Sequence, residues 1–262
     1  ERAQRKPTDT LSSYELLLKG KALHHKVQKD ALLNALTTFD DAIKADEKNG
    51  QAYAWKACAL GQGLFRGYLE EDFNTVWKQA EDNLKKAREL NENDFEVHRL
   101  MSEVSLAMKD FRAAQRHSKI CYEQVPNDPR VLSVYGEVCL RTGKVDEGLD
   151  AVKLALEIDP VAQGKTNADP RHAAVIFGYY MARDKEGCLE QINNLEEIDF
   201  KSWLLTTKIC RDEEHEFSNL DWFQEGKKLF SDKDFEKEVQ DFRLNNDSAT
   251  ETLISFAKEL FN

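Results

Sequence analysis

Cys121-Tyr122-Glu123-Gln124-Val125-Pro126 and Ala155-Leu156-Glu157-Ile158-Asp159-Pro160 are two helix endings closed by prolines that stand 34 residues apart. Proline cannot continue a helix, because it lacks the backbone N–H and its ring strikes the preceding turn. Upstream of Pro160, Leu132, Tyr135, Gly136 and Cys139 share one face of a first helix, and Gly148, Val152 and Ala155 one face of a second. One period earlier His98, Met101, Ser102 and Ser105, then Ala114, Ser118 and Cys121, hold the same offsets. Small side chains at these places let two helices cross closely, and the larger apolar ones fill the space between. A single pair cannot bury its apolar face alone, so such units must stack on their neighbours.

These offsets resemble tetratricopeptide repeats, which hold Trp, Leu, Gly and Tyr in the first helix and Ala, Ala or Phe, Ala and Pro in the second. The resemblance implies an all-α chain, a right-handed α-α superhelix of about five helix-turn-helix repeats. Working outward, residues 1–10 read as a polar linker, and repeats fall at about 11–49, 50–94, 95–128, 129–162 and 171–200. Ser12 or Ser13 is placed to cap the first helix, with Glu15 answering from its first turn. In the second repeat, Tyr53 and Ala80 are 27 residues apart where the regular unit needs 16, an excess of 11 around Gly61–Leu69. That insertion reads either as longer helices with a packed turn or as a protruding contact loop. From residue 201 the pattern weakens, and 201–262 is expected to form capping helices, the last one capped by Asp247 or Ser248.

The chain has 262 residues, of which 41% are apolar and 32% charged, which suits a globular domain. Its net charge of −11 disfavours nucleic acid, since phosphate binding needs a basic face. No apolar run is long enough to span a membrane. The five cysteines Cys58, Cys121, Cys139, Cys188 and Cys210 show no metal spacing. They read as reduced, buried small residues of a cytoplasmic chain. Gly61-Gln62-Gly63 lacks the preceding strand that a nucleotide loop requires. The six scattered histidines make no metal motif. No metal, no cofactor and no catalytic site is expected.

What remains is the groove. In tetratricopeptide repeats it is lined by the second, fifth, ninth, twelfth and thirteenth residues of each first helix. The count reaches Glu96, Arg99 and Glu103 in the third repeat, Arg130, Ser133, Glu137 and Arg141 in the fourth, and His172, Tyr179 and Arg183 in the fifth. The arginines suit bidentate pairing with carboxylates and Tyr179 suits an aromatic anchor; the alternative is a solvated face whose Glu and Arg neutralise one another. The Lys/Asn/Asn/Lys/Arg set by which some family members clamp chaperone tails is absent: Ala54, Cys58, Arg99, Glu103, Ser133 and Glu137 stand there.

Arg5-Lys6-Pro7, then Leu11 through Gly20, leading into Ala35, Phe39, Ala42 and Asp46, resembles the start of the C-terminal repeat region of bacterial class III adenylate/guanylate cyclases with a TolB-type segment. Phe242-Arg243-Leu244 and Leu253 through Leu260 resemble its closing helices. That resemblance implies a non-enzymatic regulatory part of a signalling protein, binding a protein or peptide. One alternative is self-association, through Leu64, Phe65, Tyr68 and Leu69 or through Phe256, Leu260 and Phe261. Another is a small-ligand sensor around Phe177 and Tyr179.

Overall fold

The computed structural model describes residues 12–261, so the expected linker at 1–10 lies outside the described residues. Among them the chain is all-helical, with fourteen helices and no strand. Ten helices follow in pairs: α1 Ser13–His24, α2 Lys29–Ala45, α3 Gly50–Phe65, α4 Phe73–Leu90, α5 Phe95–Ala107, α6 Phe111–Gln124, α7 Pro129–Arg141, α8 Val145–Ile158, α9 Asp169–Ala182 and α10 Lys185–Ile192. Four more complete the chain: α11 Phe200–Asp212, α12 Asp221–Leu229, α13 Phe235–Gln240 and α14 Asp247–Phe261.

Their starts follow from local chemistry. Ser12 and Glu15 form a reciprocal capping box on α1. The side chains of Asp72, Asp128, Asp184, Asp199 and Asp234 cap α4, α7, α10, α11 and α13. Each places a negative charge where the helix dipole favours it. Pro129 at the first position of α7 costs no hydrogen bond there. At the last helix Asn246, not Asp247 or Ser248, makes the cap: its Oδ1 accepts from the Ala249 N–H at 3.0 Å.

The chain divides into two compact units, one holding residues up to Ser105 with Arg116–Gln124, the other Leu106–Gln115 with Val125 onward. In the first unit α1–α2, α2–α3 and α3–α4 pack in succession. Leu16, Leu17, Leu32, Phe39, Trp55, Val97 and Leu100 form its core. Gly20 is required at the α1–α2 crossing, since a Cβ there would lie 2.4 Å from the Phe39 ring. Most of the insertion goes into helix. α3 runs 16 residues and α4 18, joined by residues 66–72. Leu64 and Leu69 pack beside Leu60, Val76 and Leu84, and Tyr68 turns inward with its hydroxyl donating to the Val27 carbonyl at 3.4 Å. Phe65 is left exposed.

In the second unit α7 and α8 cross at Gly136 and Gly148, where a Cβ on either would meet backbone of the other helix within 3 Å. This is the close crossing expected from the small residues in the 34-residue pattern. The C-terminal helices are built on aromatics: Trp203 is fully buried against Phe223, Phe230 and Phe261. Its indole N–H donates to the Phe223 carbonyl at 3.2 Å. Phe256 is buried, while Leu260 and Phe261 are half-buried and packed on this core. Phe261 stacks on Phe235 at 4.9 Å. All five cysteines are free thiols. Burial pushes Cys58 and Cys121 up to about 12, which leaves them inert at neutral pH.

Candidate functional site

In the first unit the groove residues form one cluster centred on Glu96, whose side chain is 3% exposed. Its carboxylate accepts from the Lys21 ammonium at 3.0 Å and from the Trp55 indole N–H at 3.1 Å. Arg99 lies 3.7 Å from the same oxygen and donates to Glu103 at 2.6 Å. Lys21 and Arg99 both lie over the Trp55 ring, at 4.6 and 5.5 Å from its centroid. The cluster thus ties α1, α3 and α5 together with two cations, two carboxylates and one indole. Beside it His24 and His25 meet Trp55 edge-on, each 5.4 Å away. Burial, then the neighbouring positive groups His25, Arg99 and Arg66, lower His24 to about 4. His24 is therefore a neutral ring at physiological pH; its Nε2 lies 3.7 Å from the Cys58 sulfur.

In the same unit, α5 and α6 are joined by a buried histidine pair. His98 Nε2 lies 2.7 Å from the Glu92 carbonyl, which can only accept, so Nε2 carries the proton. His98 Nδ1 is then an acceptor for His117 Nδ1–H at 2.8 Å. That leaves His117 Nε2 to accept from Arg116 at 3.4 Å.

In the second unit the groove positions are engaged within the chain. Arg130 grips Asp128 with Nε at 3.1 Å and a terminal nitrogen at 2.6 Å. Burial would raise Asp128, but these bonds and the Arg130 charge outweigh it and hold the carboxyl below its ordinary value. Ser133 donates to the Pro129 carbonyl at 2.9 Å and accepts from Arg171, which also binds Asp159. Arg141 pairs with Glu137 and donates to the Phe242 carbonyl at 3.0 and 3.3 Å, bridging 101 residues of chain. His172 lies 2.8 Å from Gln191, and Tyr179 packs against Gly187, where a Cβ would come within 2.4 Å of the ring. Arg183 closes α9 in the left-handed conformation (φ 57°) and is exposed.

Arg99, Arg130 and Arg141 therefore already hold carboxylates of their own chain, but Arg99 and Arg141 are buried rather than part of a solvated face. Around Glu137 burial would raise the carboxyl, and Arg141, Lys201 and Arg243 together hold it low. Burial lowers Lys201 to about 8 against the pull of Glu137. Its ammonium lies 4.0 Å from the Phe177 ring centroid.

Lys21, His24, Trp55, Arg171 and Lys201 were not assigned from sequence. Counted from Ser13, Lys21 and His24 are ninth and twelfth in α1, so the groove rule reaches them directly, and Lys201 is second in α11, which it reaches once α11 is recognised as a first helix. An open polar cleft of about 540 Å³ lies between α11 and α14, lined by Lys208, Arg211, Glu251, Phe256 and Glu259. A smaller one of about 360 Å³ lies by Arg141, Tyr180, Leu244 and Asn246. Among the described residues no group of side chains is placed to hold a metal ion, and no helix is long and apolar enough to cross a membrane.

No protein-family model matches the chain, and no curated protein sequence matches it. Solved structures do. The pilF structure from Pseudomonas aeruginosa superposes with a TM-score of 0.60 at 14% identity, covering 91% of this chain and 99% of its own. TTC0263, a thermophilic tetratricopeptide-repeat protein of Thermus thermophilus, gives 0.52 at 18% identity, covering 78% and 100%. A tetratricopeptide repeat protein of Parabacteroides merdae gives 0.52 at 14%, covering 99% and 88%. At such identities the likeness speaks for fold alone: the chain has the all-α helical-repeat fold seen in tetratricopeptide-repeat structures.

Proposed function

We propose that this chain is a non-catalytic interaction module that holds a protein or peptide segment on the first-helix faces of its repeats. The observation that carries the reading is the Lys21–Trp55–Glu96–Arg99–Glu103 cluster. Buried ion pairs add little stability over well-packed apolar residues of the same size. A chain that locks five polar or amphipathic groups together across α1, α3 and α5 holds these first helices in one arrangement before any partner arrives. Faces held in place in this way lose little entropy when a partner's backbone or side chains arrive. In the first unit Glu103 keeps about a third of its side chain exposed beside this cluster; within the second unit Arg130 is exposed to a similar degree and Arg183 is exposed. The net charge of −11 favours a protein over a nucleic-acid partner.

The signalling context implied by the resemblance to cyclase-associated repeats rests on sequence fragments alone, and none of the three structures above is described as a cyclase. The interaction reading does not depend on it.

The test is selection of peptides from a displayed random library against the purified chain, followed by titration of selected peptides against Glu103→Gln, which keeps an acceptor for Arg99, and Arg183→Glu. These residues are accessible, so the fold is expected to survive. A loss of about tenfold or more in affinity in at least one variant is expected. Selection of no peptide above background, or unchanged binding in both variants, overturns the reading.

A further inference from the structure

The insertion of the second repeat builds a surface that the groove does not use. Phe65, the last residue of α3, is 53% exposed, and Phe73, the first of α4, is 51% exposed. Both rest on Trp77, which is only 8% exposed. Phe73 stacks on the indole with centroids 6.2 Å apart and planes 8° from parallel, and Phe65 meets it edge-on at 6.5 Å. The indole N–H donates to Glu81 at 3.0 Å, which fixes the platform from below. Leu64 and Leu69 anchor the two sides of the turn in the core, so the rings do not hang on a loose loop. Two half-exposed phenyl rings on a fixed indole are more than the scattered apolar exposure normal for a surface.

The surroundings name the partner. The connection between the two phenylalanines, residues 66–72, ends in the exposed acidic run Glu70, Glu71 and Asp72 and begins with the exposed Arg66. Charged groups within residues 65–81 are Arg66 and Lys78 against Glu70, Glu71, Asp72 and Glu81, an excess of two negative charges. Exposed aromatic faces attract cations through the ring quadrupole. Ring faces and acidic rim therefore select the same visitor, while a second copy, itself at −11, would meet like charge.

We infer that the Phe65–Phe73–Trp77 platform is a docking surface for a basic segment of a protein partner, one that presents an apolar anchor flanked by lysine or arginine. It lies outside the groove positions, so it stands or falls independently of the function proposed above.

The test follows the Trp77 indole N–H resonance, assigned through Trp77→Phe, while an amphipathic Lys/Leu helical peptide is added to the full chain. A Glu/Leu peptide with the same apolar face is the control. The Trp77 signal is expected to shift with the basic peptide, at an affinity about tenfold or more above that for the acidic one. Phe65→Ser/Phe73→Ser should cost about tenfold in affinity. Glu70→Gln/Glu71→Gln should weaken binding and flatten its salt dependence. An unmoved Trp77 signal overturns the inference, as does equal binding of the two peptides. A concentration-dependent doubling of mass abolished by Phe65→Ser/Phe73→Ser also overturns it, because the occupant would then be a second copy.

Discussion

Replacing Glu96 with methionine removes the acceptor shared by Lys21 and Trp55 and takes one of two nearby carboxylates from Arg99. Arg99 keeps Glu103 but stays buried at 5% exposure. Lys21 is a fifth exposed and regains part of its solvation, so its share of the loss is small. Breaking a buried pair from one side costs about 3–5 kcal/mol when the remaining charge is left uncompensated; because Glu103 still answers Arg99, about 2–3 kcal/mol is expected, shared between the guanidinium and the orphaned indole N–H. Replacing all members together is a different perturbation. Lys21→Met/Glu96→Met/Arg99→Met leaves no buried charge behind and fills similar volume, and should return to within about 1 kcal/mol of the parent, aside from Glu103 and the indole N–H. The assay is hydrogen exchange by mass spectrometry on peptides from α1, α3 and α5, which reads opening of this unit without assuming that the whole chain unfolds in one step. At about 1.4 kcal/mol per decade, the single variant should raise exchange roughly thirtyfold to a hundredfold, and the triple variant about fivefold or less. A silent single variant, or a triple variant as open as the single one, would refute the reasoning.

Four further outcomes follow from the same structure. Gly226→Ala places a Cβ 2.1 Å from the fully buried Trp203 indole and should lower the melting temperature of the second unit, a cost of about 1–3 kcal/mol. Gly61→Ala, with nothing within 4 Å and a place inside α3, should instead stabilise by about 0.5–1 kcal/mol; calorimetry of both checks the contrast. His24, lowered from 6.5 to about 4, binds its proton more readily unfolded, so its contribution is complete above about pH 6.5 and falls away as pH drops toward 4. Urea titrations should show an acid limb approaching about 3 kcal/mol that His24→Phe flattens. Lys201, lowered from 10.5 to about 8, opposes folding while charged; Lys201→Met should raise stability at pH 7 and remove the gain otherwise seen between pH 8 and 10.5.

The 34-residue spacing and the glycine crossing at Gly136 and Gly148 were legible because both rest on local sequence: a proline that ends a helix, and a side chain too small to block one. The Ser12–Glu15 box was legible for the same reason. The groove positions could be counted, but their state could not. Whether Arg99 waits for a partner or sits on Trp55 is decided 44 residues away, and the acceptor for Arg141 lies 101 residues off. The place of α11 as a first helix escaped the pattern because the small residue of that crossing, Gly226, sits in the following helix while Trp203 fills the first. The insertion was visible as an excess length, but its division into two lengthened helices depends on Leu64 and Leu69 finding the core.

The bond from Arg141 to the Phe242 carbonyl has a meaning for the order in which the protein matures during synthesis. The guanidinium emerges from the ribosome 101 residues before the carbonyl that receives it. Until then α7 and α9 stand with a buried-type cation and part of an aromatic core unsealed, while α1 to α4 already have every helix they pack against. Chains released early, or cut before Phe242, would carry an open apolar edge of the kind that chaperones retain and proteases find first.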